Sequence, residues 1–207
     1  MDPRERILSK AHDLYFRYGI RSVTMDEIAG QCGISKKTIY QFFEDKDALV
    51  GAVMDSVINN TQGTCTMDQA KSANAIHEVF LALQMVQEMF SAMTPTVLFD
   101  VQKHHPNAYE RLEQHKSKFL FTVLINNIER GKQEGLYRED FNDDIIARMR
   151  LQTIFMPFNP DIFPKGKFSL SLIEQELTEH FIYGIATAKG IKLIQKYKQE
   201  RIKNQNP

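Results

Sequence analysis

The chain has 207 residues, enough for a sizeable core or for a small domain beside a larger one. Its 43% hydrophobic and 25% charged residues are those of an ordinary soluble globular protein, and no apolar run approaches the length of a membrane span. Lys and Arg number 26 against 26 Asp and Glu, so the net charge is zero; this argues against a nonspecific nucleic-acid coat and requires any DNA binding to come from a focused patch.

The first residues, Met-Asp-Pro-Arg-Glu-Arg, have no apolar stretch behind them and give no secretory signal, so a cytoplasmic location is expected. Asp2-Pro3-Arg4-Glu5 offers an N-cap, a proline at the first helical position and an acid near it. Ile7, Ala11, Leu14 and Tyr18 then repeat at helical spacing up to Gly19. Thr24 with Glu27 three residues on is a capping box, and Ile28, Ala29 and Cys32 continue it as one apolar stripe. Gly33 can take positive φ and end that helix; Ile34 plugs the turn and Ser35 caps the next. Ile39 and Phe42, with Phe43, are expected to point to the core, leaving Lys36, Lys37, Thr38, Tyr40 and Gln41 on the outer face. Two short helices joined in this way form a helix-turn-helix DNA reader. The first helix is expected to complete a three-helix domain behind it.

A fourth helix is predicted from about Asp45 through Leu49, Val53 and Val57, with the polar stretch 60–74 as its end and a loop. Helical pattern resumes over Ala75–Met93, in a short helix from Pro95 to before Pro106, and in one long helix from Pro106 to Gln133 with Leu112, Phe119, Val123 and Ile128 inward. Asn142 caps a helix through Ile146, Met149 and Phe155, and Pro157, Pro160 and Pro164 make a loop. A last long helix holds Leu170, Ile173, Leu177, Phe181, Gly184 and Ala188, and the tail beyond Gly190 is basic. The fold class is therefore all-α. The expected division is a DNA-binding domain over 1–45, a connecting helix over 46–62, a larger helical domain over 63–190 and a basic tail over 191–207.

Two segments carry a family resemblance. Thr24 to Leu49, with Ile39-Tyr40-Gln41-Phe42-Phe43, Lys46 and Leu49, and Ile128 to Arg138, with Gly131, Gly135, Leu136 and Tyr137 before Asn142-Asp143, resemble the TetR family of bacterial transcriptional regulators. The resemblance implies a homodimer whose larger domain binds a small molecule and pairs through its last two long helices. It implies a recognition helix over roughly Ser35 to Phe42 and phosphate contacts from Thr24, Tyr40 and Lys46. A phenol, an ammonium and a capping hydroxyl suit phosphate, and helix N-termini attract anions. Base reading falls to Lys36, Lys37, Thr38 and Gln41, since lysine can donate to guanine and glutamine pairs with adenine. Phe42 departs from the family's pattern: many relatives carry there a histidine or tyrosine able to bind phosphate.

The second domain names no ligand residue. Its Met85, Met89, Phe90, Met93, Phe99, Phe119, Phe121, Met149, Phe155, Met156 and Phe158 suit an adaptable apolar pocket or a plain core, so the unknown effector is expected to be largely apolar. His104 and His105 are expected at the surface, and no metal or cofactor is expected. Cys32 and Cys65 lack metal-like spacing and read as free thiols. There is no glycine-rich phosphate loop, H-E-x-x-H or G-x-S-x-G, so catalysis is not expected. The alternatives to a ligand-released repressor of a double-stranded palindromic operator are an activator and a helical interaction protein.

Overall fold

The computed structural model describes residues 2–164 and 166–205; Asn206 and Pro207 of the expected basic tail lie outside them. The helices are α1 (Pro3–Tyr18), α2 (Met25–Cys32), α3 (Lys36–Tyr40), α4 (Lys46–Lys71), α5 (Ala75–Ser91), α6 (Thr96–His104), α7 (Pro106–Gln114), α8 (Phe121–Gln133), α9 (Asp143–Phe155), α10 (Leu170–Ile185) and α11 (Ala188–Gln205). A π-helical segment, His115–Leu120, joins α7 to α8, and a 3-10 turn follows α9 at Met156–Phe158. Among the described residues there is no strand; one isolated antiparallel bridge pairs Tyr137 with Ala186.

The chain forms two compact units. One takes the residues up to Gln62 together with Ala92–His115; the other takes Gly63–Ser91 together with the residues from Lys116 onward. Residues 92–115 were expected in the larger domain, yet they belong to the first unit. They are held there by Thr94 N–H donating to the Phe16 carbonyl (2.7 Å), by Asp100 accepting from Arg21 N–H (3.1 Å), by a hydrogen bond between His105 Nδ1 and Asp47 Oδ1 (2.6 Å) and by the Arg111–Asp55 ion pair (2.6 Å). These contacts join residues 56 to 79 positions apart, which local pattern does not reveal.

In the first unit, Ile7, Ala11, Tyr15, Ile20, Ile28, Ile39, Leu49 and Val50 are fully enclosed. The inward face of α1 is Ile7, Ala11, Tyr15 and Phe16, not Leu14 and Tyr18: a run of i+4 steps turns Tyr18 out to 55% exposure, beneath Arg17. Asp2 stands at the N-cap of α1 but its side chain accepts no capping bond. Asp45 does cap α4, accepting from Ala48 N–H at 2.7 Å.

α4 continues through the polar stretch expected to be a loop, despite a glycine at 63 that costs an exposed helix about 1 kcal/mol. Its end is held from outside: Arg130 donates to the Ser72 hydroxyl and carbonyl, and also pairs with the buried Glu78 and with Glu134. Glu134 in turn accepts from Ala75 N–H, the first residue of α5 (2.8 Å). One guanidinium thus ties the end of α4, the start of α5 and the end of α8.

The second unit is built on α5 and α10, joined by α8, α9 and α11. Its core gathers Ile76, Phe80, Leu136, Tyr137, Phe181, Ile182, Ile185 and Ile194. The expected long helix after Pro106 is interrupted by the π segment, and the expected last helix breaks at Ala186 and Thr187. The break follows from a crossing chain. Arg138 N–H donates to the Ile185 carbonyl (2.8 Å) and Thr187 N–H to the Leu136 carbonyl (2.9 Å), so Ala186 is extended instead of helical. Gly190 lets this chain pass; a Cβ there would lie 2.3 Å from the Leu136 oxygen. Ala186 is therefore buried within the chain, while Gly184 and Ala188 face outward.

Between α9 and α10, Arg150 and Glu174 form a buried pair. One Arg150 nitrogen donates to Glu174 Oε1 and to the Thr178 hydroxyl, which also reaches Oε1. Glu174 Oε2 is enclosed with no hydrogen-bond partner among the described residues, and burial holds this carboxyl above the usual range against the pull of Arg150.

Gly131→Ala is expected to destabilise the protein by about 3 kcal/mol in urea unfolding, because its Cβ would sit 1.9 Å from the Tyr137 ring. That ring is enclosed, and its hydroxyl donates to Asn127 (3.1 Å), so it has nowhere to swing. Arg150→Met alone is expected to cost about 3–5 kcal/mol near neutral pH by leaving Glu174 uncompensated, whereas Arg150→Met with Glu174→Leu comes out near neutral or stabilising. The single variant's loss should recede as pH falls towards 4.5, the carboxyl's ordinary value. A carboxyl raised by burial takes its proton in the folded state first, so lowering the pH favours folding over that window.

Candidate nucleic-acid interface

Both helices of the reader are closed by side chains. Thr24 Oγ1 accepts from Glu27 N–H (3.2 Å), and Glu27 Oε2 accepts from Thr24 N–H (2.7 Å) and from its hydroxyl (2.9 Å). The Thr24 backbone N–H, first, and its hydroxyl, second, hold the Glu27 carboxyl below the usual range. At the other end, Gly33 adopts φ 61°, ψ 35°, and the N–H groups of Gly33 and Ile34 turn back onto the Ala29 carbonyl. A Cβ at Gly33 would meet nothing within 4 Å, so glycine is there for its backbone angles, not for space. Two residues later Ser35 Oγ accepts from Thr38 N–H (3.1 Å) and starts α3.

α3 is shorter than the expected Ser35–Phe42: it ends at Tyr40, and Gln41 and Phe42 lie in the turn that follows. Ile39 and Phe43 are buried as expected. Phe42 is not; it is 38% exposed, because Phe43, four residues after Ile39, takes the inward position. Tyr40 is 44% exposed, and Lys36, Lys37 and Gln41 are also open.

The expected contact residues differ in what their polar atoms already do. Lys37 has no ion pair or side-chain hydrogen bond among the described residues. The Lys36 ammonium is 2.9 Å from Asp26 Oδ2, across from α2, and this bond holds its pKa above the ordinary value. Thr38 is half-buried, with its hydroxyl 2.8 Å from Ser35 Oγ, so both hydroxyls are satisfied within the helix start.

Lys46 donates to the Ile20 carbonyl (2.7 Å) and the Val23 carbonyl (2.6 Å), holding the corner between α1 and α2, and lies 5.9 Å from the Tyr15 ring. Desolvation lowers its pKa. Two of its three protons are thus committed to structure. The Tyr15 hydroxyl is buried without a partner among the described residues, and burial pushes its pKa up. The local sequence pattern does not reveal Asp26 as the partner of Lys36, nor the carbonyls that Lys46 holds. An acid in the first turn of a helix is unremarkable by itself, and neither partnership follows any local spacing.

Elsewhere the histidines and the soft side chains divide. His105 is buried against Asp47 rather than at the surface, while His104 is exposed. Among the described residues no group of three His, Cys, Asp or Glu could hold a metal ion. Cys32 is buried; Cys65 is half-buried with its thiol pushed up to about 11 by burial. Phe90 packs edge-on against Phe158 at 5.0 Å, and Phe99 and Met149 face outward, whereas Met85, Met89, Phe121, Phe155 and Met156 are only partly enclosed. No described helix is long and apolar enough to cross a membrane.

A capped helix, a left-handed glycine turn and a short exposed helix define a helix-turn-helix DNA-binding protein. Residues 7–53 match the family model of bacterial regulatory proteins, tetR family. The chain is 24% identical over 182 residues to the HTH-type transcriptional regulator YvaF of Bacillus subtilis (strain 168), covering 87% of this chain and 94% of that one. It is 39% identical over 133 residues to YerO of the same organism, but over only 64% of this chain and 39% of that one. Among solved structures, a TetR-family regulator from Agrobacterium tumefaciens superimposes with a TM-score of 0.75 at 14% identity, over 89% of this chain and 98% of that one. A transcriptional regulator from Saccharomonospora viridis, solved in complex with choline, gives 0.70 at 19% identity over 89% and 97%. Residues 7–53 thus match the tetR-family DNA-binding segment, and the chain is similar over most of its length to HTH-type regulators: it is a DNA-binding transcriptional regulator.

Thr24→Ala is expected to lower stability by about 1 kcal/mol in urea unfolding near neutral pH. The Glu27 carboxylate is held below its ordinary value of 4.5, so its contribution is complete above that pH and is lost as pH falls through the lower folded value. The difference between variant and parent should therefore shrink in acid.

Proposed function

We propose that the chain is a homodimeric repressor that leaves a palindromic operator when a small, largely apolar molecule binds its second unit. The observation that carries the reading is the surface of α3 and the turn after it: Lys36, Lys37 and Tyr40 stand open on a helix closed at its start by Ser35, and Gln41 stands open just beyond its end. A recognition helix reads bases with its N-terminal residues while the preceding helix crosses the backbone. On this reading Lys36, Lys37 and Gln41 face base edges, with Thr38 and Ser35 close by at the helix start. Tyr40, Thr24 and the remaining proton of Lys46 face phosphates.

Dimerisation is supported by outward apolar side chains on α9 and α10: Ile145, Met149, Leu172 and Tyr183. A second copy pairing there would carry two recognition helices, and half-sites one helical turn apart need a separation of roughly 34–36 Å. The partly enclosed methionines and phenylalanines of the second unit favour an apolar effector. That a regulator of this fold was solved with choline supports small-molecule control, without naming the molecule for this chain. A coupling of roughly 1–3 kcal/mol between effector and operator is a typical allosteric size.

Residues 1–45 would read DNA, 46–62 connect, and 63–190 bind effector and partner, with 92–115 contributing to the first unit. DNA binding places the protein's work in the cytoplasm. The basic tail from 191, mostly in α11, is a surface that the interaction-protein alternative would use.

Selection of bound DNA from a random pool is expected to enrich a palindrome; no enrichment at low salt would favour the interaction protein. On the selected site, Tyr40→Phe should weaken binding about tenfold on all sequences alike, by removing one phosphate hydrogen bond. Lys37→Ala should change which bases are preferred and reduce the salt dependence by about one counterion. Thermal-shift screening with hydrophobic cations, acyl chains and aromatics should find a molecule that also releases the operator. A molecule that tightens operator binding instead would indicate a co-repressor.

A further inference from the structure

We propose that Asp26 is a specificity-determining residue of the DNA interface, acting as a positioning residue that steers Lys36 toward base edges and away from phosphates. The inference rests on the reading of α3 as the recognition helix, and it assigns a role to a residue of the other helix. Asp26 lies in the first turn of α2, Lys36 is the first residue of α3, and their side chains meet at 2.9 Å across the two helices. The neighbouring acid, Glu27, is already spent on the Thr24 cap, so the two carboxylates in this turn do different jobs. Both side chains of the pair are open, at 44% and 69% exposure, so the bond is made at the surface, where DNA would approach.

The chemistry follows from what an unheld lysine does. Four rotatable bonds let its ammonium reach phosphates on any duplex, and phosphate contacts carry no sequence information. Each lysine so used adds to nonspecific affinity through counterion release. Asp26 takes one of the three Lys36 protons and fixes the head beside the start of α3, leaving two protons for acceptors such as guanine O6 and N7. The three lysines of this face are then differentiated by partner. Lys46 is committed to the Ile20 and Val23 carbonyls, Lys36 is held by Asp26, and Lys37 remains free for either use. In a chain with no net charge, this arrangement lowers affinity for random DNA more than it lowers affinity for the operator.

The test uses the full-length protein, a random-sequence duplex and the duplex recovered by selection, each titrated across a range of salt. Asp26→Asn keeps the shape and removes the charge. It is expected to lower the ratio of operator to random affinity about tenfold and to steepen the salt dependence on random duplex by about 0.9, one phosphate contact. Both changes should vanish when Lys36→Ala is already present. Lys36→Ala alone should weaken operator binding about tenfold more than random binding. The proposal is overturned if Asp26→Asn moves operator and random binding by the same factor, which would be simple repulsion of DNA. Persistence of its effect without Lys36, an unchanged slope on random duplex, or equal weakening of both duplexes by Lys36→Ala would overturn it too. Should selection recover no motif, the operator reading fails separately, and the slope on random duplex still decides the role of Asp26.

Discussion

Between Ala29 and Lys36 the chain must end one helix and begin another with almost no residues to spare, and the DNA interface depends on that turn. Helix ends expose backbone groups that need partners. Gly33 provides the left-handed angles that fold the N–H groups of Gly33 and Ile34 back onto Ala29, and Ser35 immediately supplies an acceptor for Thr38. With both ends satisfied, a helix of only five residues can persist, although isolated helices of that length do not. Past its end, Phe43, four residues after Ile39, takes the inward position and Phe42 stays outside.

A second close approach organises the other unit. Gly131 and Gly190 stand where the chain at Leu136 and Tyr137 passes through, one against the Tyr137 ring and the other against the Leu136 carbonyl. That passage breaks the last helix at Ala186 and sets α11 on its own course. Arg130, one residue before Gly131, ties in the ends of α4 and α5. The glycine-punctuated segment 128–138 is thus a structural joint, with the glycines supplying room and the guanidinium supplying order.

Charge is used sparingly across the first unit. The reader's cations have different occupations, and several acids serve as internal partners: Asp26 for Lys36, Asp47 for His105, Asp55 for Arg111 and Asp100 for the Arg21 backbone. The corner between α1 and α2 is gripped from two sides, by Lys46 at the start of α4 and by Asp100 on α6. The orientation of α2, and with it the reader, is consequently set by residues far apart in the chain.

Most capping and turn chemistry was determined by the sequence alone, because it rests on neighbours within four residues: the Thr24–Glu27 box, Gly33, Ser35, Asn142 and the enclosed Ile28, Ala29, Cys32 and Ile39 fell where the spacing put them, whereas Asp2 at the start of α1 makes no capping bond. The helix-turn-helix at 24–40 was legible for the same reason. Tertiary structure alone decided that α4 runs on to Lys71, that residues 92–115 join the first unit, that the final helix breaks at Ala186, and that Lys46 and Lys36 are already bonded. Each of these depends on a partner ten or more positions away, where no local period reports on it. The energy of a distant hydrogen bond or ion pair then outweighs the weak local preference of the residues concerned.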